Sequence, residues 1–241
     1  MPKEYIGTAG WTIPRRVANR FPAEGSALAR YAARFSAAEI NSTFHRSHQP
    51  QTFARWAASV GDEFRFAVKF PKAISHGLRL VGAENCLKTF LQDVRNIGSK
   101  SGPFLLQLPP SLNYHHNVAE KFFGFLRKCT SQRVVCEPRH PSWFDEEADD
   151  LLAAFDIARV AADPARVQEA GRPGGNRKIE YYRLHGTPRM YYSAYDPIFL
   201  SKLANFISQS AADEVWCIFD NTVSGAATEN ALEIQATLDR S

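Results

Sequence analysis

The sequence predicts an α/β fold of the TIM type, a (β/α)8 barrel in which eight parallel strands alternate with helices. Eight short apolar segments occur along the chain, and most are separated by a stretch in which apolar residues recur at helical spacing. The length of 241 residues is close to the roughly 250 residues typical of such barrels. We therefore expect a single barrel domain over residues 1–241, with its active site at the carboxyl-terminal ends of the strands.

The apolar segments are short, and nearly all of them end in polar residues. A barrel strand packs one face against helices and the other into the lumen, so an apolar body with a polar end fits a strand that ends at the mouth. We predict the strands at residues 5–11, 37–43, 65–71, 103–109, 133–139, 158–163, 180–186 and 214–221.

The segments between the strands carry helix start and stop signals. Ser26 is a good N-cap residue, and Pro50 suits the first turn of a helix. Gly98 follows an apolar stripe as a stop signal, and acidic residues after Asp145 match the dipole of a helix start. The predicted helices cover residues 26–35, 50–59, 84–97, 118–128, 145–155, 195–208 and 225–238.

The sixth strand–helix unit is predicted to be irregular. Residues 164–178 contain three glycines and two prolines, a composition that favours a loop over a full helix. Long loops in small domains are often functional, so this segment is either a mobile lid or a plain surface excursion.

Composition limits the possible classes of protein. The net charge is +4 and the pI is near 8.9, which favours anionic ligands but lacks the clustering expected for nucleic-acid binding. No apolar run has the length of a membrane span, and the first residues enter a strand at once, which predicts no secretory signal. The four cysteines lack paired spacing, so we expect reduced thiols in a cytoplasmic protein.

Strand alternation predicts a polar set on one face of several strands. Side chains two apart share a face, which pairs Glu39 with Asn41 in the second strand. The same rule pairs residues of the fifth and seventh strands, with apolar residues at the alternate positions. We predict that these polar side chains point inward at the barrel mouth: Glu39, Asn41, Glu137, Arg139, Arg183 and His185.

Further polar residues late in strands or in the following loops are expected to join this set. Either Asp220 or Asn221 is expected from the last strand. Exposed N–H groups around Gly225, at a predicted helix start, are expected to bind an anion. The remaining predicted ligand-contacting residues are Trp11, Lys69, His76, Gln107, Asp163 and Tyr191.

Acid–base chemistry on a phosphate- or carboxylate-bearing substrate is the function that these residue types favour. Glu137 or Glu39 would act as the general base and His185 as the acid, while the basic residues hold the anion. The two glutamates would face each other across the ligand. The alternative is an internal salt-bridge network that only closes the barrel, for example between Glu137 and Arg183.

Two other functions remain open at the level of sequence. A divalent-metal-dependent hydrolase or isomerase would use the acidic residues and His185 as ligands, although the neighbouring arginines and Lys69 would repel a cation. A non-catalytic binder of nucleotide or nucleic acid is compatible with the basic pI. We predict a small anionic ligand with no metal or cofactor, and the sequence does not determine the oligomeric state.

Seven motifs resemble the YecE-like family, also called domain of unknown function 72. They occur in order along most of the chain and read GTAGW, EINSTFHR, FRFAVKFPKAISH, LLQLPPS, EPRHPSW, YYRLHG and FDNTVSGAATENA. The resemblance implies a TIM-type barrel, and it implies no mechanism.

Two positions depart from the pattern of that family. His45 stands where the family usually has tyrosine, which removes an aromatic hydroxyl. Asp220 and Asn221 stand where two asparagines are usual, which adds a negative charge at the predicted barrel mouth.

Overall fold

A closed barrel of parallel strands forms the centre of the computed structural model, which describes residues 2–240. Neighbouring strands of the barrel pair in parallel around the whole ring, which confirms the predicted fold class. The strands are β1 Lys3–Ala9, β2 Ala37–Ile40, β3 Arg65–Lys69, β4 Ser101–Gln107, β5 Val134–Glu137, β6 Ile157–Arg159, β7 Ala161–Asp163, β8 Gly174–Gly175, β9 Ile179–Leu184 and β10 Glu214–Phe219.

The sixth barrel strand is interrupted at Val160, and its two halves, β6 and β7, close the ring. The first half pairs with β5 and the second half pairs with β9. The Val160 N–H still donates to the Cys136 carbonyl oxygen at 2.8 Å. The sixth barrel strand therefore pairs with one neighbour along its first half and with the other along its second half, and this closes the barrel.

Between residues 2 and 240, seven α-helices follow the predicted positions, with ends that differ by a few residues. Side chains cap several of them as the sequence indicates: Ser26 Oγ accepts the Ala29 N–H at 3.2 Å, and Asp145 Oδ1 accepts the Ala148 N–H at 2.9 Å. The helices are α1 Ala27–Ala32, α2 Pro50–Ala58, α3 Glu84–Val94, α4 His116–Cys129, α5 Glu146–Ala154, α6 Pro197–Ser208 and α7 Ala226–Leu238.

The connection after the sixth strand is irregular, as predicted. It contains a short 3-10 helix, Gln168–Gly171, and the strand β8, which pairs antiparallel with β6. The Arg159 guanidinium donates to the Glu169 carbonyl oxygen at 2.8 Å and to Asp149 Oδ1 at 2.7 Å. These contacts tie the segment to the outer wall of the barrel, which favours the surface excursion over the lid.

Two apolar layers lie on opposite faces of the strands. The inner layer fills the barrel, and the outer layer packs between the strands and the helices. Inner and outer residues alternate along each strand, so an inner residue identifies which polar residues share its face. The inner layer consists of Tyr5, Ala37, Ala67, Leu105, Val135, Ala158, Val160, Ile179, Tyr181, Trp216 and Ile218.

The four cysteines are free thiols. Cys136 and Cys217 are buried in β5 and β10, and burial raises the pKa of both thiols well above the ordinary range. Between residues 2 and 240, no helix has the length and apolar character needed to cross a membrane.

Candidate functional site

A buried arginine lies at the centre of the barrel mouth. Arg183, near the end of β9, is 1% exposed and contacts three carboxylates. Its Nη2 donates to Glu39 Oε1 at 2.8 Å, and its Nη1 donates to Glu137 Oε2 at 2.9 Å. Asp220, which follows β10, places Oδ2 2.9 Å from Nη2. Burial disfavours the charged guanidinium, but the three carboxylates outweigh this and raise the pKa of Arg183 well above its ordinary value.

Glu39 is enclosed by its partners. The Tyr181 hydroxyl donates to Glu39 Oε2 at 2.6 Å, and Arg183 Nε lies 3.1 Å from both carboxylate oxygens. Burial and the adjacent Glu39 raise the pKa of Tyr181 well above its ordinary value. Because Glu39 is fully buried beneath these groups, it orients Arg183 from the floor of the mouth.

His185 lies between two carboxylates. Its Nδ1 is 3.1 Å from Asp220 Oδ2, and its Nε2 is 3.0 Å from Glu137 Oε1. Arg139 Nη2 approaches the same edge, at 2.9 Å from His185 Nε2 and 2.5 Å from Glu137 Oε1. The ring of Tyr191 meets the imidazole edge-on at a centroid distance of 5.7 Å. The imidazole is thus held in one orientation by groups from three other parts of the chain.

The acidic partners of His185 are held in their ionised form. Burial raises the pKa of Glu137, but the positive charges of Arg139, Arg183 and His185 together lower it well below its ordinary value. Asp220 shows the same balance: burial raises its pKa, but Arg183 and His185 lower it by more, so the net shift is downward. Both carboxylates therefore place negative charge beside the imidazole.

Two cationic side chains at the mouth have unused hydrogen-bond donors. Lys69 is 7% exposed, and within residues 2–240 its Nζ has no hydrogen bond or ion pair. It lies 4.3 Å from the centroid of the Phe44 ring. Arg139 is 8% exposed, and its buried Nε has no partner in the described chain. Burial and the positive charge of Arg183 lower the pKa of Lys69 to about 8.

Half-buried polar residues form the rim of the mouth. Asn41 lies 3.5 Å from both Asp220 and Arg183. His76 meets the Phe44 ring edge-on at 5.0 Å, and burial, with Lys69 next in effect, lowers its pKa. Gln107 pairs in register with Glu137 and follows the inner residue Leu105 by two positions, which places it on the lumen face.

The sequence matches over residues 5–241 the family model described as "Protein of unknown function DUF72". The chain belongs to the DUF72 family. This confirms the resemblance that the seven motifs indicate.

The DUF72 chain is 30% identical to the UPF0759 protein YecE of Escherichia coli K12 over 175 residues. That alignment covers 70% of this chain and 62% of the relative, so the chain spans about three fifths of the curated relative that it matches.

Solved structures of two DUF72 proteins share the fold. The protein of Thermotoga maritima has a TM-score of 0.82 at 22% identity, over 98% of this chain and 99% of that one. The protein of Enterococcus faecalis has a TM-score of 0.83 at 20% identity, over 99% and 96%. At these identities the likeness shows the shared architecture alone.

Most of the predicted site residues converge in this DUF72 protein. Charged and polar residues from β2, β3, β5, β9 and the end of β10 meet at one mouth, as strand alternation predicts. The expectation that the two glutamates face each other across a ligand is wrong, because the Arg183 guanidinium lies between them. The predicted residues that lie at or around the mouth are Glu39, Asn41, Lys69, His76, Gln107, Glu137, Arg139, Arg183, His185, Tyr191 and Asp220.

Asp163 does not join this set. Ala158 and Val160 fill the lumen from the sixth strand, so alternation turns Asp163 to the outer face. There its carboxylate accepts the Tyr195 hydroxyl at 2.7 Å and the Thr187 hydroxyl at 2.6 Å. Its position late in the strand suggested the mouth, but alternation decides the face.

Asn221 also faces outward, and Asp220 occupies the mouth instead. Trp216 and Ile218 are inner residues, so Asp220 shares their face and Asn221 does not. Asn221 Nδ2 donates to the Ser193 carbonyl oxygen at 2.8 Å and to Asn230 Oδ1 at 3.0 Å. Asn221 therefore fixes the loops behind the mouth.

Trp11 packs outside the barrel. The chain turns at Gly10, whose φ is +77°, so the alternation of β1 does not continue to Trp11. The indole meets Trp56 edge-on at 5.1 Å and Phe66 at 6.2 Å, in the outer apolar layer. It forms no wall of the mouth.

The expected anion site at Gly225 is closed by local hydrogen bonds. The Gly225 N–H donates to the Thr222 carbonyl oxygen at 3.0 Å, and the Ala227 N–H donates to the Asn221 carbonyl oxygen at 3.1 Å. The Ala226 N–H lies 3.4 Å from Ser224 Oγ. The N–H groups that an anion would need are thus already used.

Sequence reasoning missed two residues that shape the site, Tyr181 and Phe44. Tyr181 precedes Arg183 by two positions on the same strand face, so alternation could have found it. Phe44 lies in a short 3-10 helix after β2, and its contact with Lys69 on β3 required the tertiary structure.

A three-ligand metal centre does not form among the described residues. Within residues 2–240, no group of three or more histidine, cysteine, aspartate or glutamate side chains is placed to hold a metal ion.

Proposed function

We propose that the barrel mouth binds a small molecule bearing a phosphate or carboxylate, and that His185 transfers a proton to or from it. The observation that supports this proposal is a pair of unused cationic donors at the mouth, the buried Nε of Arg139 and the Nζ of the largely buried Lys69. A buried cationic donor without an acceptor is costly, so a ligand oxygen that accepts from it gains both charge and hydrogen bonding.

The carboxylates at the mouth are already partnered. Glu39 accepts from Arg183 and Tyr181, and Glu137 contacts both arginines. The donors that remain unsatisfied are cationic, which selects an anionic ligand over a cationic one. Arg139 is suited to a planar oxyanion, because a guanidinium presents several donors in a fixed geometry.

His185 is the group best suited to move a proton. A general acid or base works best with a pKa near the working pH, and the pKa of Glu137 is lowered well below its ordinary value. An imidazole can donate through one ring nitrogen and accept through the other, so it can both give and take a proton. Asp220 Oδ2, 3.1 Å from Nδ1, fixes the orientation of the ring. Glu137 then acts as a positioning residue rather than as the base, and Glu39 supports Arg183.

Thermal-shift measurements with inorganic phosphate, phosphorylated metabolites and small carboxylates test the binding step. A ligand that binds only the native state raises the Tm. We expect a concentration-dependent rise for the wild type that is strongly reduced in Arg139→Gln. Arg20→Gln, an exposed arginine outside the mouth, makes the same change of charge and should keep the full shift. If no anion of either class raises the Tm of the wild type, the binding proposal is wrong.

Proton transfer is tested with any ligand identified in this way. Proton NMR in D2O follows exchange or conversion of the bound compound by the wild type and by His185→Asn. We expect the variant to bind the ligand and lose the exchange. Undiminished exchange in His185→Asn would remove this residue from the mechanism.

A further inference from the structure

Lys69 differs from the other buried lysine of the described chain. Lys100 is as buried as Lys69, but its Nζ contacts Asp62 Oδ1 at 2.6 Å and the Gly61 carbonyl oxygen at 2.7 Å. Lys69 ends β3 inside the barrel mouth, and within residues 2–240 its amine has no such partner. The Phe44 ring, with its centroid 4.3 Å from Nζ, holds the side chain without accepting a conventional hydrogen bond.

We propose that Lys69 forms an imine with a carbonyl compound that also carries a phosphate or carboxylate. This inference rests on the proposed function, because the anionic group of the compound would be held by the donors of Arg139. Lys69 then changes from an electrostatic contact into the nucleophile of the site.

The chemical step needs no oxidant or reductant. The lone pair of the neutral Lys69 amine attacks the carbonyl carbon, and the carbonyl oxygen takes up a proton. The resulting hydroxyl leaves as water after a second protonation, while the nitrogen loses its two protons and forms a double bond to carbon. The net reaction joins an amine and a carbonyl to give an imine and one water, and the protons are exchanged with solvent water.

The environment of Lys69 favours the neutral amine that this step requires. Burial and the Arg183 guanidinium both oppose the ammonium form, and the carboxylates of Glu39, Glu137 and Asp220 only partly offset them. With the pKa at about 8, about one molecule in ten carries the neutral amine at pH 7. Desolvation beside another cation is a recognised way to activate a lysine nucleophile.

The other charged groups at the mouth are directed elsewhere. Arg139 pairs with Glu137, and Asp220 pairs with Arg183 and His185. His76 lies at the rim and meets the Phe44 ring edge-on, and it forms no hydrogen bond with Lys69 among the described residues. The amine is therefore free of an ion pair that would have to break before it attacks a carbonyl carbon.

Pyridoxal 5′-phosphate, which carries an aldehyde and a phosphate, is the probe for this proposal. The wild type is incubated with the probe, reduced with sodium borohydride and mapped by peptide mass spectrometry. We expect Lys69 to be labelled at least tenfold faster than the exposed Lys202 on α6, and excess inorganic phosphate to suppress this labelling. Pyridoxal without the phosphate should label Lys69 more slowly.

Variants separate reactivity from loss of fold. Lys69→Arg keeps a positive charge, and Lys69→Met keeps a flexible unbranched side chain. The fold of each variant is compared with that of the wild type by circular dichroism before labelling. Arg139→Gln keeps the amine and should label more slowly. Lys202→Gln, the matched surface control, should leave the labelling of Lys69 unchanged.

The outcomes distinguish this inference from the proposed function on which it rests. If phosphate raises the Tm but Lys69 reacts no faster than Lys202, the mouth binds anions and the imine is wrong. If phosphate neither raises the Tm nor slows the labelling, the proposed anion site is wrong. The imine with an anion-bearing substrate is then wrong as well. Fast labelling that phosphate suppresses supports both.

Discussion

Replacing Lys69 by methionine should stabilise the protein at neutral pH. The ammonium is buried without an ion pair, and its pKa is lowered from 10.5 to about 8 by burial and by Arg183. A group whose pKa is lower in the folded state binds fewer protons there than in the unfolded chain, so its charge opposes folding at low pH. Methionine keeps a flexible stem of similar size against Phe44 and removes the charge.

The magnitude follows from the two pKa values of Lys69. A native pKa of about 8 and an unfolded pKa of 10.5 give a charge penalty of about 3 kcal/mol at pH 7. At pH 10 most of the native amine is already neutral, and the penalty falls to about 1 kcal/mol. The advantage of Lys69→Met over the wild type should therefore shrink by about 2 kcal/mol between pH 7 and pH 10.

Urea denaturation of the wild type and of Lys69→Met at several pH values between 7 and 10 measures this change. Other groups titrate in both proteins, so they cancel in the difference between the two free energies of unfolding. Lys202→Met, a change at an exposed lysine, is the control and should give a difference that does not vary with pH. A constant difference for Lys69→Met across this range would show that Lys69 titrates normally and would refute the reasoning.

Three further predictions concern the core of the site and its surroundings. Arg183→Met leaves three buried carboxylates without their cation, so the free energy of unfolding in urea should fall by about 3–5 kcal/mol. A fall of less than about 1 kcal/mol would contradict the central role of this arginine. Tyr195→Phe removes a hydroxyl that donates to Asp163, and it should cost about 1 kcal/mol while leaving the phosphate-induced rise in Tm unchanged, because Asp163 lies outside the mouth. Gly7→Ala places a methyl group onto the carbonyl oxygen of Ala37, so the protein should lose about 1–3 kcal/mol of stability and its Tm should fall. An unchanged Tm would argue against this close approach of β1 and β2.

Hydrophobic periodicity in the sequence predicts most of the fold. Strands and helices of this chain are short and regular, and their signals are local, such as the N-cap at Ser26 and the glycine-rich segment after the sixth strand. Local signals are set by neighbours in sequence, so they can be found without coordinates. The number of strand–helix units then leaves few ways to close a parallel sheet.

Strand alternation predicts much of the candidate site. It places Glu39, Arg183 and His185 on the lumen face, because the period of two is a property of the extended backbone itself. It fails where the regular strand has ended, as at Trp11 beyond the turn at Gly10. A position late in a strand is not sufficient by itself: Asp163 ends the sixth strand, but alternation from the inner residues Ala158 and Val160 turns it outward.

The sequence by itself determined the barrel, the mouth where the polar residues meet and the types of side chain present there. Only the tertiary structure decided how those charges pair, because pairing joins residues from strands far apart in the chain, such as Arg183 with Glu39. It showed that Arg183 fills the space between the glutamates and that the Phe44 ring holds Lys69. The partners of a buried charge set its pKa and its freedom to react, so these properties depend on distances that no local pattern encodes.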